Sequence, residues 1–196
     1  MLFRSSIQLN SQGLPRISYY QRLWADGTYA LHLKYASFDG KAWYTETVDA
    51  DGATGKFNSL ALDGQDHPHI SYSEVNEGDL RYAYFDGSDW QISKPETHRG
   101  SGGWVGLASC IIIDRDGYPN IAYLAVDKRQ VKYARRTKRG WQIQVVDQLV
   151  GRADNIDRLS LKLDSQGRPN VVYYDGGLGI DRKSTRLNSS HLFISR

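Results

Sequence analysis

The sequence predicts an all-β fold: a β-propeller fragment of about three and a half four-stranded antiparallel blades, arranged as an open ring. Three observations predict it. A block of about 50 residues repeats along the chain. Each block divides into four short stretches rich in Ile, Leu, Val, Tyr and Trp, which is strand length and strand composition. No window has helical period long enough to compete.

The first stretch reads Ser6-Ile7-Gln8-Leu9-Asn10, then Ser59-Leu60-Ala61-Leu62-Asp63, Cys110-Ile111-Ile112-Ile113-Asp114 and Ser160-Leu161-Lys162-Leu163-Asp164, at spacings of 53, 51 and 50. Its small residues suit the crowded axis of a ring, so it is expected nearest the central channel. An Asp-x-x-Gly-x-Pro turn leads to the second stretch, with Pro where no ladder donor is needed. That stretch reads Pro15-Arg16-Ile17-Ser18-Tyr19 and recurs from Pro68, Pro119 and Pro169. The third has three copies, Leu33-Lys34-Tyr35-Ala36, Leu80-Arg81-Tyr82-Ala83 and Val131-Lys132-Tyr133-Ala134. The fourth opens on a Trp eight residues after each Tyr: Trp43, Trp90 and Trp141. Asp39-Gly40 and Asp86-Gly87 join the third and fourth stretches as tight hairpins. Thr137-Lys138-Arg139-Gly140 takes that place in the third block, so its turn is expected to differ.

Blade 1 is therefore read over 1–58, blade 2 over 59–109, blade 3 over 110–159 and the first half of blade 4 over 160–180. Residues 181–191 resemble, codon for codon, the translation of a common short-read sequencing adapter. The segment 181–196 is accordingly read as a non-native, disordered tail outside the fold. Propellers usually have about four to eight blades, so the native gene is expected to encode six or seven. The isolated polypeptide, with a bare blade face at each end, is expected to be poorly soluble or to self-associate.

The tail governs the charge. The chain has a formal net charge of +3; the tail holds four of its 25 basic residues and one of its 22 acidic ones, leaving 21 of each. The balance argues against nucleic acid as a partner. The basic run from Lys128 to Arg139 reads as a solvated outer hairpin. No stretch is long and apolar enough for a transmembrane helix. A lone Cys110 allows no intrachain disulfide and reads as a small packed residue.

Most residues that look chemical belong to the repeat. Asp63, Asp114 and Asp164 recur by period, which is a turn role. Asp114-Arg115-Asp116-Gly117 lacks the later ligands of a calcium loop. His67 and His69 suggest no third ligand, so they read as a turn residue and a packed imidazole. The Gly-rich connection Arg99–Trp104 precedes a strand and is no phosphate loop. No metal and no cofactor is expected.

Ser37-Phe38-Asp39-Gly40-Lys41-Ala42-Trp43 resembles a shortened Asp box, Ser-x-Asp-x-Gly-x-x-Trp, of the sialidase-like propellers, and Tyr84-Phe85-Asp86-Gly87-Ser88-Asp89-Trp90 is a looser version. With its flanking strands, the repeat from residue 6 to about 180 is similar to bacterial propeller repeats grouped near the sialidases. The resemblance implies a fold and an extracellular or cell-surface location rather than a reaction. Sialidases also use three Arg residues for the substrate carboxylate, a Tyr–Glu nucleophile pair and an Asp acid/base. The Arg-Ile-Pro segment of that machinery is absent here, and Arg16 occupies a repeat position held elsewhere by His69, Asn120 and Asn170.

Departures from the repeat are the better guide to function. Tyr19 to Tyr35 spans 16 residues, where the other blades have 10. The six extra residues are read as a longer loop between the second and third strands, on the face shared with the blade-to-blade connections. Trp24, Tyr29 and His32 from this loop, with Trp104 from the connection, are the candidate ligand-binding residues; catalytic residues are unknown. The expectation is a non-catalytic binding or interaction module with a glycan or protein ligand, its native partner being the missing half of its own propeller. The alternatives are a fragment of a sialidase-like glycoside hydrolase with most catalytic residues in other blades, and a purely structural repeat domain.

Overall fold

The computed structural model describes residues 5–25, 27–98, 103–149, 159–174 and 182–186. Its regular structure is β throughout. Blade 1 comprises β1 (Ser6–Leu9), β2 (Pro15–Ala25), β3 (Thr28–Phe38) and β4 (Trp43–Asp49). Blade 2 comprises β5 (Lys56–Leu62), β6 (Pro68–Glu74), β7 (Asp79–Phe85) and β8 (Trp90–Glu96). Blade 3 comprises β9 (Val105–Ile113), β10 (Pro119–Ala125), β11 (Gln130–Thr137) and β12 (Gly140–Gln148). β13 (Leu159–Leu163), β14 (Pro169–Tyr174) and β15 (Arg182–Arg186) form a three-stranded fourth sheet. Each sheet is an antiparallel meander in chain order, and together they make an open β-propeller. No helix among the described residues is long and apolar enough to cross a membrane.

β15 lies within the segment read from sequence as a disordered tail. It instead pairs with β14, with Lys183 opposite Tyr173. That register repeats the basic-opposite-Tyr pairing of Lys34 with Tyr19, Arg81 with Tyr72 and Lys132 with Tyr123. A basic third strand is thus compatible with the ladder. Residues 187–196 lie outside the described residues.

The Ser that opens each of the first two repeats has a bonding role. Ser6 Oγ accepts the Leu60 N–H across 3.0 Å, and Ser59 Oγ accepts the Ile111 N–H across 3.2 Å. Successive first strands are stitched together this way, because a short hydroxyl reaches a neighbouring backbone that a bulkier side chain would displace. The turn Asp residues cap their own loops. Asp63 Oδ1 accepts the Gln65 and His67 N–H groups, Asp114 Oδ1 those of Asp116 and Tyr118, and Asp164 Oδ1 those of Gln166 and Arg168. Asp39 and Asp86 do the same for the outer hairpins, and these backbone bonds hold both carboxyls below their ordinary range. In the third blade Thr137 replaces the Asp, its hydroxyl accepting the Arg139 N–H and donating to the Gly140 carbonyl.

The core sits between blades. Leu33, Tyr35 and Val48 of blade 1 pack on Leu60, Ile70 and Tyr72 of blade 2. Leu80, Tyr82 and Val105 pack with Ile111, Ile121 and Tyr123 at the next interface. Each interface also contains a Tyr–carboxylate pin. The second-strand Tyr donates its hydroxyl to a carboxylate at the end of the preceding blade's outer strand: Tyr72 to Asp49 at 2.7 Å, Tyr123 to Glu96, and Tyr173 to Asp147. At the first two interfaces a third-strand cation completes the group, Arg81 on Asp49 at 2.9 Å and Lys132 on Glu96. Burial, reinforced by the adjacent Asp49 charge, pushes the Tyr72 hydroxyl well above its ordinary pKa, so it remains a donor.

Candidate functional site

The six-residue insertion is not a loop. β2 and β3 continue in register through Arg22–Leu31, Leu23–Ala30 and Trp24–Tyr29 to Ala25–Thr28. The insertion therefore extends the hairpin beyond the other blades. Gly27 has φ +76°, a value that suits glycine in a tight turn.

The pleat then sorts the candidate residues. Directly paired residues share a face, and neighbours along a strand alternate. Tyr20, Arg22 and Trp24 share a face with Leu33, Leu31 and Tyr29. His32 is paired with Gln21 and belongs to the opposite face. The sequence reading grouped His32 with Trp24 and Tyr29 because it treated the segment as an irregular loop; strand alternation separates it from them.

Trp24 and Tyr29 meet edge to face, with ring centroids 4.4 Å apart. The Arg22 guanidinium lies 3.3 Å from the centre of the Tyr29 ring. This cross-strand cluster rigidifies the hairpin tip, yet Trp24 remains 63% exposed and Tyr29 51%. An exposed indole on a stiff two-stranded support offers a flat apolar surface whose ordering is already accomplished by folding.

Beside the cluster lies a cleft of about 510 Å³. The blade 1 wall is Tyr20, Arg22, Tyr29 and Leu31; the opposite wall is Val75 and Asn76 from the turn between β6 and β7. Gly52, Ala53 and Lys56, from the connection between blades 1 and 2, complete it. Trp104 borders the same turn from the far side, its Nε1 donating to the Val75 carbonyl across 3.2 Å while the ring is 48% exposed. Trp24, Tyr29 and Trp104 are thus arranged about one pair of loops at one end of the blades.

The cleft is held by buried polar groups. Glu74 is 1% exposed, and its carboxylate accepts the N–H groups of Ala53, Asn76 and Glu77. One side chain therefore fixes both the floor and the far wall. Thr54, fully buried, donates to the Asp49 carbonyl and accepts the Leu33 N–H, tying the floor to the hairpin base. Gly55 is required at that contact. Its φ is +93°, and a Cβ there would stand 2.9 Å from the Leu33 Cα.

Chemically, the cleft presents guanidinium, ammonium and amide donors and a phenol beside aromatic and aliphatic surface. None of its described lining residues is a carboxylate. No cluster of three or more His, Cys, Asp or Glu residues placed to hold a metal occurs among the described residues. A second cleft of about 470 Å³, at the opposite end of blades 3 and 4, is lined by turn residues, and its Asp114 is already bonded to Arg135 at 2.8 Å.

Sequence reasoning missed Arg22, Lys56, Val75 and Asn76. Arg22 was within reach: Asp26-Gly27 is the same dipeptide as in the Asp39-Gly40 and Asp86-Gly87 hairpins, and a hairpin there puts Arg22 and Trp24 on one face. Lys56 and Asn76 carry no such signal.

No protein-family model and no curated protein matches the chain. Solved structures match its fold. AofleA from Arthrobotrys oligospora superposes with a TM-score of 0.66 at 12% identity, covering 95% of this chain and 53% of that one. A xylan beta-1,4-xylosidase from Bacillus halodurans gives 0.52 at 11% identity, covering 94% of this chain and 41% of the enzyme. The NanB sialidase from Streptococcus pneumoniae, as a point mutant, gives 0.53 at 12% identity, covering 93% and 30%. The chain thus spans about half or less of these proteins, and the likeness is one of fold.

Proposed function

We propose that the chain is part of a carbohydrate-binding β-propeller and that its ligand rests on the Trp24–Tyr29 hairpin and in the cleft beside it. One observation carries this reading: two exposed aromatic rings, locked together and to Arg22, stand at the rim of a cleft with amide and cationic donors. Sugar rings present C–H faces that stack on aromatics and hydroxyls that need nearby donors and acceptors. The xylosidase and the sialidase named above act on glycans, which agrees with this ligand class without extending their reactions to this chain.

The binding role is preferred over a catalytic one. Glycoside hydrolysis by the usual route needs two carboxyl groups flanking the bond, about 5 to 9 Å apart. The described lining of the cleft provides neither. A sialidase-like hydrolase would have to draw its acid and nucleophile from elsewhere. An extracellular or cell-surface location goes with the glycan reading.

A glycan array tests the proposal. The expected result is binding to a defined set of glycans that Trp24→Ala abolishes and His32→Ala leaves intact. Absence of binding to every glycan, or equal loss in both variants, refutes it.

A further inference from the structure

The outward face of blade 1 carries the receiving half of an inter-blade joint. Ile7 is 60% exposed, whereas its repeat equivalents Leu60, Ile111 and Leu161 are 1%, 4% and 3% exposed because each is covered by the preceding blade. Leu9 lies on the same face, 63% exposed. Tyr19 and Lys34, cross-strand partners there, are the equivalents of Tyr72–Arg81 and Tyr123–Lys132. Those two pairs close on Asp49 and Glu96. Lys34 instead bonds the Thr47 hydroxyl at 2.8 Å, and no described carboxylate bonds Tyr19.

We infer that this face docks a β-propeller blade, supplied from outside these 196 residues, whose outer strand ends in Asp or Glu. The carboxylate accepts from the Tyr19 hydroxyl and pairs with Lys34, while apolar third-strand residues of the incoming blade cover Ile7 and Ile17. The chemistry disfavours a second copy of this chain. Face-to-face pairing sets Lys34 against Lys34. Asp49 and Glu96, the acids that end the outer strands of blades 1 and 2, are committed to their own pins, and Asp147 bonds Tyr173. A cation left without its carboxylate in such an interface is costly, which makes the acid a requirement on the partner.

Two measurements test this. In the first, the full chain is extended by a copy of residues 59–109 placed directly ahead of Ser6, which brings the copy's Glu96 to the required position. Amide exchange at Ile7 and Ile17 is expected to slow roughly tenfold or more against the unextended chain. Glu96→Gln in the copy should reverse part of that slowing, and Tyr19→Phe should add nothing further in that background. Unchanged exchange, or fully additive losses, overturns the inference. The second uses the unextended chain and does not depend on the extension folding. Tyr19→Phe should leave the unfolding midpoint unshifted, whereas Tyr72→Phe should lower it. Equal shifts, or protection of this face in a self-assembled dimer, contradict a face that awaits an acidic blade.

Discussion

Tyr72 donates a 2.7 Å hydrogen bond to Asp49 from the second strand of one blade to the last residue of the preceding blade's outer strand. Both residues are buried, and Arg81 closes on the same carboxylate oxygen. The joint holds a charge pair out of water beside Leu33, Leu60 and Ile70, so its parts should have unequal costs. Tyr72→Phe removes one donor but leaves Asp49 paired, with an expected loss of about 1–3 kcal/mol. Arg81→Met leaves a buried carboxylate without its cation, with an expected loss of about 3–5 kcal/mol. Urea denaturation of both variants checks the order; a larger loss for Tyr72→Phe would contradict it.

Gly55 permits the cleft floor to pass against the backbone of β3. Gly55→Ala combines a positive φ with a Cβ 2.9 Å from the Leu33 Cα. The expected cost is about 1–3 kcal/mol. Gly13→Ala is the control, since its φ is also positive at +76° but its Cβ would meet nothing within 4 Å. The thermal midpoint of Gly55→Ala should fall clearly below that of the control.

His69 gives the fold a pH dependence. Burial lowers its pKa below 6.5, against the smaller opposing effect of Asp63. The unfolded chain therefore binds the proton more readily than the folded one. Stability contributed by neutral His69 is complete above the unfolded pKa and is lost as pH falls below about 6.5. Asn occupies the equivalent position in blade 3, where Asn120 accepts from Tyr133 as His69 bonds Tyr82. His69→Asn should thus keep the joint and flatten the stability profile between about pH 7 and 5. Denaturation midpoints across that range are the check, and an unchanged slope would exclude His69 as its source.

Legibility in the sequence followed the regularity of each feature. The blades were readable because Ser-x-x-Leu-Asp, Pro-x-Ile-x-Tyr and the Trp recur at nearly constant spacing. The pins were not, although their Tyr residues recur, because the acids stand 23, 27 and 26 residues before them. Those spacings vary because the connections between blades differ in length: each acid stands six residues after its Trp, but 10, 14 and 13 residues separate it from Ser59, Cys110 and Ser160. At the candidate site Trp24, Tyr29 and Trp104 stood out as large apolar residues outside the repeat. His32 falls on the opposite face from Trp24 and Tyr29, which a loop reading does not reveal and a pleated hairpin does. Lys56, Val75 and Asn76 are ordinary residues that converge only through tertiary packing around Glu74.

The Trp24–Tyr29 hairpin and its cleft are proposed to bind a sugar. Calorimetric titration with a glycan selected on the array measures it most directly. Tyr29→Ala removes the ring that bridges Trp24 and Arg22 and should weaken binding about tenfold or more. His32→Ala, on the opposite face of the same hairpin, should leave the affinity unchanged. Equal affinities for wild type and Tyr29→Ala, or a loss confined to His32→Ala, would contradict the account.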